Sequence, residues 1–166
     1  AACKGFDGRG PRTILTQSLI NHFGVTDLRG VRSKIYSREM DRANLATLSR
    51  LVGEGANADD PVCLRIMEDA AHELALLAKV AAANVDFSRC QPIVSTAGGV
   101  WKAGKPIWDP FRNEVLRALP NANVALPVYP PCLGALLMAL KGAGISLDDE
   151  VVSNIEKTRH KVEKEN

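Results

Sequence analysis

Apolar residues recur at helical intervals through the first half of the chain. In "REMDRANLATLSRLVGEGA" (38–56), Met40, Leu45, Leu48, Leu51 and Val52 share one period, which predicts a helix running out at Gly53 or Gly55. In "DDPVCLRIMEDAAHELALLAKVAAANV" (59–85), Cys63, Ile66, Met67, Ala70, Leu74, Leu77 and Ala81 form one stripe over about six turns. Asp60 is placed to cap that helix and Pro61 to occupy its first turn. "GPRTILTQSLINHFGV" (10–25) predicts an earlier helix, with Pro11 near its first position and Gly24 past its last.

After residue 90 the texture changes. "QPIVSTAGG" reads as a short buried strand ending in a glycine turn, and "DPFRNEVLRAL" as a helix capped by Asp109 with Pro110 in its first turn. "NVALPVY" is a second short strand, and "PPCLGALLMALKGAG" a helix ending at Gly142 or Gly144. Strand, helix, strand, helix predicts an α/β unit with parallel pairing. "LDDEVVSNIEKTRHKVEKEN" closes the chain as a charged helix expected to fray. Residues 1–90 are thus mainly helical and 91–145 alternate. Two strands make a poor sheet, so either the chain is mostly helical or further strands lie on sequence outside it.

Composition changes this picture little. The 166 residues are 46% hydrophobic and 24% charged, as in an ordinary globular domain. A net charge of +2 does not indicate nucleic acid, and no apolar run is long enough to span a membrane. Cys3, Cys63, Cys90 and Cys132 are widely spaced, without a ligand-spaced His, and read as four free thiols in a reducing, cytoplasmic setting. His22, His72 and His160 are equally scattered, so no metal site is expected.

The candidate chemistry lies in "GGVWKAGKP". From Gly99 through Gly104 to Lys105 it matches G-x-x-x-x-G-K after a strand, but Pro106 stands where a phosphate loop needs Ser or Thr. Pro106 removes a hydroxyl and an N–H, and Trp101 sits inside the supposed cradle, so a phosphate loop is rejected. Paired glycines at a strand's carboxyl end can instead let backbone approach a flat or charged ligand, or simply turn the chain.

The run "STAGGVWKAGKPIWDPFRNEVLRALPNANVALPVYPPCLGALLMAL" closely resembles the carboxyl-terminal segment of the BadF/BadG/BcrA/BcrD-type ATPase family, within the actin, sugar kinase and heat-shock chaperone superfamily. Family members carry a Gly-Gly-Val turn with Trp or Phe, a "PFRxxL" helix and a "PPxLGAxLxAL" helix. Here these are Gly98, Gly99, Val100, Trp101, then Pro110, Phe111, Arg112, then Pro131, Leu133, Gly134, Ala135. Upstream, "FDGRGPRTILTQSLINHFGV" and "LVGEGANADDPVCLRIMEDAAHELA" are similar to the family's "DGRGPxTxLT" and "AEGAxxGDPxAxxI" segments, with Asp59 where the family often has Gly.

The resemblance implies an α/β fold: the helix-rich carboxyl-terminal part of an actin-like ATPase (ribonuclease-H-like) domain, lacking the opening strands. It implies ATP and Mg2+ as cofactors and, in the complete protein, phosphorylation of N-acetylglucosamine or a similar amino sugar. Gly98, Gly99 and Val100 match the family's adenosine turn, Ala103 a position touching nucleotide in some members, and Glu54, Gly55 and Ala56 the opposite side of the adenine and ribose pocket. The family's phosphate loops, its catalytic Asp and its "GDEGSG" stretch have no match, so no catalytic residue is assigned and the chain alone is expected to be inactive. An absent amino-terminal domain is the implied partner, and a truncated sheet implies self-association as a homodimer. Asp7 is read as a turn residue, and Lys102 and Lys105 as solvated. Two other functions stay open: an ATPase activating an iron–sulfur reductase or dehydratase, and a non-catalytic helical interaction module.

Overall fold

The computed structural model describes residues 1–37, 40–87 and 89–162. In chain order the elements are α1 (Ala2–Phe6), α2 (Leu15–Phe23), α3 (Leu28–Ile35), α4 (Arg42–Asn57), α5 (Pro61–Ala83) and β1 (Ile93–Ser95). A 3-10 turn (Gly99–Ala103), α6 (Lys105–Ala118), β2 (Asn123–Ala125), α7 (Pro131–Gly142) and α8 (Asp149–Val162) follow. With 66% of residues helical and a two-stranded parallel sheet, the helix-rich α/β expectation holds at that level. The chain divides into two compact units, residues 1–94 with 98–125, and residues 95–97 with 126–166.

The first unit is built around α5 and α6. Along α5 the buried residues are Cys63, Met67, Ala71 and Ala75, a strict four-residue spacing. On α6 they are Ile107, Phe111 and Val115, also four apart and each at most 3% exposed. Ala71 and Ala75 on α5 are small enough to let the axes approach there, and each buried large side chain contributes roughly 1.5–3 kcal/mol. This pairing corrects the sequence expectation for α5. Leu77 is 67% exposed and Ala81 is also exposed, because the buried line follows the alanines instead. Val94 and Val124 of the two strands pack against the same core.

Asp60 holds the amino end of α5 as predicted. Its Oδ1 accepts from the N–H of Val62 (3.0 Å) and Cys63 (2.9 Å), and from the Thr13 hydroxyl (3.0 Å). Oδ2 accepts from the Ile14 N–H (2.9 Å). That grip on residues 13–14 explains why α2 begins at Leu15 and leaves Pro11 outside. Gly24 does end α2, in the left-handed region at φ 60°.

Helix α4 does not stop at Gly53 or Gly55. It continues to Asn57, and it starts after Met40, with Asp41 as its cap. Arg38 and Glu39, which the sequence assigned to this helix, lie outside the described residues. The glycines serve packing. A Cβ on Gly53 would come 3.1 Å from the Cβ of Ala103, and one on Gly55 would clash with the Cys63 sulfur. The helix ends in a left-handed cap at Asp59 (φ 58°), whose N–H donates to Ala56 while the Asp60 N–H donates to Gly55.

Glycine substitutions should therefore differ in sign. Gly55→Ala is expected to lower stability by about 1–3 kcal/mol through overpacking, and Cys63→Ala in the same chain should recover part of that loss. Gly134→Ala, within α7 and with nothing near its added Cβ, should raise stability by about 0.5–1 kcal/mol. Urea unfolding of the three variants checks both.

Helix α6 begins at Lys105, four residues before the predicted cap Asp109. Gly104, at φ 73°, turns the chain, and its carbonyl accepts from Ile107 (3.2 Å) and Trp108 (3.0 Å). Pro106 then falls in the first turn, where no N–H is needed, while Pro110 sits inside the helix. Helices α1 and α3 were not expected. Asp27 caps α3 by accepting from Gly30 (2.9 Å). Asp7 ends α1, and Arg9 grips its carboxylate through Nε (3.0 Å) and Nη2 (2.6 Å), which places it in a turn.

In the second unit Asp148 accepts from the Val151 N–H at the start of α8 (2.9 Å). The Tyr129 hydroxyl donates to Glu156 (3.1 Å), and Ile155 is buried. Fraying was expected at the charged end of α8, but residues 163–166 and the side chain of His160 lie outside the described ones. Among the described residues no helix is long and apolar enough to cross a membrane.

Cys3, Cys90 and Cys132 are exposed, whereas Cys63 is fully buried. Burial, then the neighbouring Asp60 carboxylate, pushes the Cys63 thiol up to about 11. A thiol reagent at pH 8 should modify three cysteines in the native chain and the fourth only on unfolding. Rapid native modification of Cys63 would contradict its placement.

Candidate functional site

A cavity of about 630 Å³ lies between the last turns of α4 and the 3-10 turn. Ser49, Arg50, Gly53, Glu54 and Asn57 form one wall, Gly99, Val100, Lys102 and Ala103 the other, and Met67 of α5 lies at its base. Its size falls in the range of about 300–1,000 Å³ common for small-molecule sites.

The turn wall is made by backbone. Gly98 has φ 108°, a conformation that favours glycine, and it delivers the chain from β1 into the turn. At Gly99 an added Cβ would meet nothing within 4 Å, so the backbone there borders open space. Trp101 does not line the cavity. Its ring packs edge-on to Phe111, with centroids 4.7 Å apart, and to Trp108 at 6.2 Å, anchoring the turn to α6.

The helix wall carries the charge. Arg50 Nε lies 3.6 Å from Glu54 Oε1, both side chains being largely exposed. Such a pair is weak and leaves each group open to another partner. Lys102 is exposed at the rim. Asn57 joins the two walls: its Nδ2 donates to the carbonyls of Gly53 (2.9 Å) and Ala103 (3.0 Å).

The structure thus brings Glu54, Gly99, Val100 and Ala103 to one cavity, whereas Gly98, next to Gly99 in the chain, does not line it. Gly55 and Ala56 are buried and do not line it, and Gly55 is packed on Cys63. Lys105, also exposed, opens α6 and does not line it either. Sequence reasoning missed Ser49, Gly53 and Asn57. Their four-residue spacing is the one available signal, a stripe of small and polar residues on one helix face. A larger and more open hollow of about 740 Å³, bordered by His22, Lys34 and Asn44, contains none of the expected site residues. Exposed His72 has Nδ1 2.9 Å from Glu114 Oε2, a surface pair between α5 and α6.

No family model matches the chain. Two curated relatives do, and both are kinases. An N-acetylmuramic acid/N-acetylglucosamine kinase of Clostridium acetobutylicum is 27% identical over 139 residues, covering 84% of this chain and 45% of that protein. An N-acetyl-D-glucosamine kinase of Dictyostelium discoideum is 29% identical over 140 residues, covering 82% and 44%. These similarities support a relationship to sugar kinases of the N-acetylglucosamine type. The chain spans less than half the length of either relative.

Proposed function

We propose that these residues form the adenosine-facing part of an ATP-dependent kinase for N-acetylglucosamine or a similar N-acetylated amino sugar, in an actin-like fold of the BadF/BadG/BcrA/BcrD type. The observation that carries the reading is the cavity between Glu54 and the bare Gly99 backbone, on a chain similar to two kinases. A glycine turn with open space over it fits a flat base, because no side chain holds the ring away from the backbone. Gly98 sets the direction of the turn, and Val100 and Ala103 supply apolar contact. Across the cavity the Glu54 carboxylate can accept from ribose hydroxyls. Gly55 and Ala56 act from behind, by seating α4 on α5 so that Glu54 stays at the wall.

Mg-ATP, when bound, supplies the phosphoryl group that passes to a sugar hydroxyl by in-line attack. In this reading the groups that hold the phosphates and orient that hydroxyl belong to the part of the relatives' length that these residues do not span. The chain by itself then binds adenosine without phosphorylating sugar.

Calorimetric titration with adenosine and with Mg-ATP tests this. Both should bind weakly, with affinities within about tenfold of one another, because phosphate contacts contribute little here. Binding of neither ligand, by this chain and by a protein spanning the relatives' full length, would overturn the reading. Sugar phosphorylation by the 166 residues alone would overturn the division of labour.

A further inference from the structure

We propose that Asn57 is a positioning residue, which sets the width of the cavity by tying the Gly99–Ala103 turn to the end of α4. The functional half of this proposal rests on the adenosine reading; the tie itself does not. One amide nitrogen has two hydrogens, and here both are used, toward Gly53 O at 2.9 Å and Ala103 O at 3.0 Å. Because both acceptors are carbonyls, only the nitrogen of the amide can face them, which fixes its orientation. Gly53 makes the span short enough, since a side chain there would press on Ala103, only 3.1 Å from its Cβ position. Met67 also lines the cavity, its Cε 3.7 Å from the same point. The Asn57 amide opposes movement of the turn away from α4. A wall held in place before the ligand arrives spares the ordering that binding would otherwise require.

The test uses Asn57→Ala, Asn57→Asp and a control, Asn84→Ala. Asn84 makes a similar amide bond to a helix carbonyl, Val80 O at 2.9 Å, but not at the cavity. In calorimetry Asn57→Ala should weaken adenosine and Mg-ATP by the same factor, about tenfold, with the melting midpoint moved by no more than about 2 °C. Asn57→Asp should bind more weakly still, because a carboxylate would face two carbonyl oxygens. Asn84→Ala should bind as the unmodified chain does. Amide hydrogen exchange without nucleotide supplies the second readout: in Asn57→Ala, residues 100–104 should exchange faster while the α5 amides keep their protection.

Unchanged affinity in Asn57→Ala, with the unmodified chain binding normally, would overturn the positioning role and leave the adenosine reading standing. Unchanged exchange at the turn would overturn the tie whether or not any nucleotide binds. Failure to bind by both the unmodified chain and a protein spanning the relatives' full length would remove the adenosine reading and the functional half of the proposal with it.

Discussion

Asp60→Ala is expected to lower the stability of the chain by about 3 kcal/mol. The side chain is 6% exposed and accepts four hydrogen bonds, two capping α5 and two holding residues 13 and 14. Losing a cap costs about 1 kcal/mol, and losing the charge-assisted bonds to Thr13 and Ile14 adds roughly 1.5–3 kcal/mol. The change also releases the start of α2 from the start of α5, so two helix ends loosen together. Asp60→Asn keeps an oxygen for the cap but loses the charge, and should fall between the two.

The pH dependence follows from the same contacts. Burial pushes the Asp60 carboxyl up, but the bonds from Ile14, Cys63 and Thr13 together outweigh it and hold the carboxyl below its ordinary value of 3.8. With the folded value lower than the unfolded one, the unfolded chain binds more protons in that window. The contribution of Asp60 is therefore fully present above the unfolded value and is lost as pH falls through the folded one. Urea unfolding at pH 7 and in steps below pH 4 should show a steeper acid loss for the unmodified chain than for Asp60→Asn. Parallel curves would show that Asp60 is not held ionised by these bonds.

The residues that were legible from sequence act on near neighbours. Asp60 and Pro61 signal a helix start because a carboxylate and a missing N–H are needed within one turn. Gly24 signals a stop because its own φ must be positive. Misreadings arose where a residue answers to something distant in the chain. Gly53 and Gly55 resemble terminators, but α4 keeps them because Ala103 and Cys63 press on it from outside. Pro110 resembles a first-turn residue, yet Gly104 had already turned the chain and started α6. Leu77 matches the helical period as well as Ala75 does, and only the approach of α6 decides that the alanine is buried.

The same distinction runs through the site. The glycine pair after β1 is visible in sequence because a strand followed by Gly-Gly is itself a local pattern. Asn57 is not visible, because its partner Ala103 is 46 residues away and is met through a backbone carbonyl that any residue would offer. Resemblance to a family indicated two segments, 54–56 and 98–100, and folding separates their tasks. Glu54 reaches the cavity, while Gly55 packs against Cys63 of α5 and Ala56 is buried away from the cavity. Residues adjacent in a motif thus differ in what they do, since successive helix positions point about 100° apart.

Gly99→Val is expected to remove adenosine binding almost completely, by roughly 100-fold, equivalent to about 2.7 kcal/mol. The substitution is informative because the fold should tolerate it. A Cβ at Gly99 meets nothing within 4 Å, and its backbone lies outside the positive-φ region that excludes side chains. The branched side chain instead occupies space at the wall of the cavity, where a base would rest against the backbone. Gly99→Ala should lose about tenfold, since one methyl group displaces the ring less. Gly98→Val is the contrasting variant: at φ 108° it strains the turn, and should lower the melting temperature as well as the affinity. Calorimetric titration and a melting curve on each variant separate these outcomes. Loss of binding at an unchanged melting temperature in Gly99→Val would place the nucleotide against this turn. Binding as in the unmodified chain would remove the turn from the site, and an activity through a protein partner that survived the substitution would then favour a helical interaction module over a kinase.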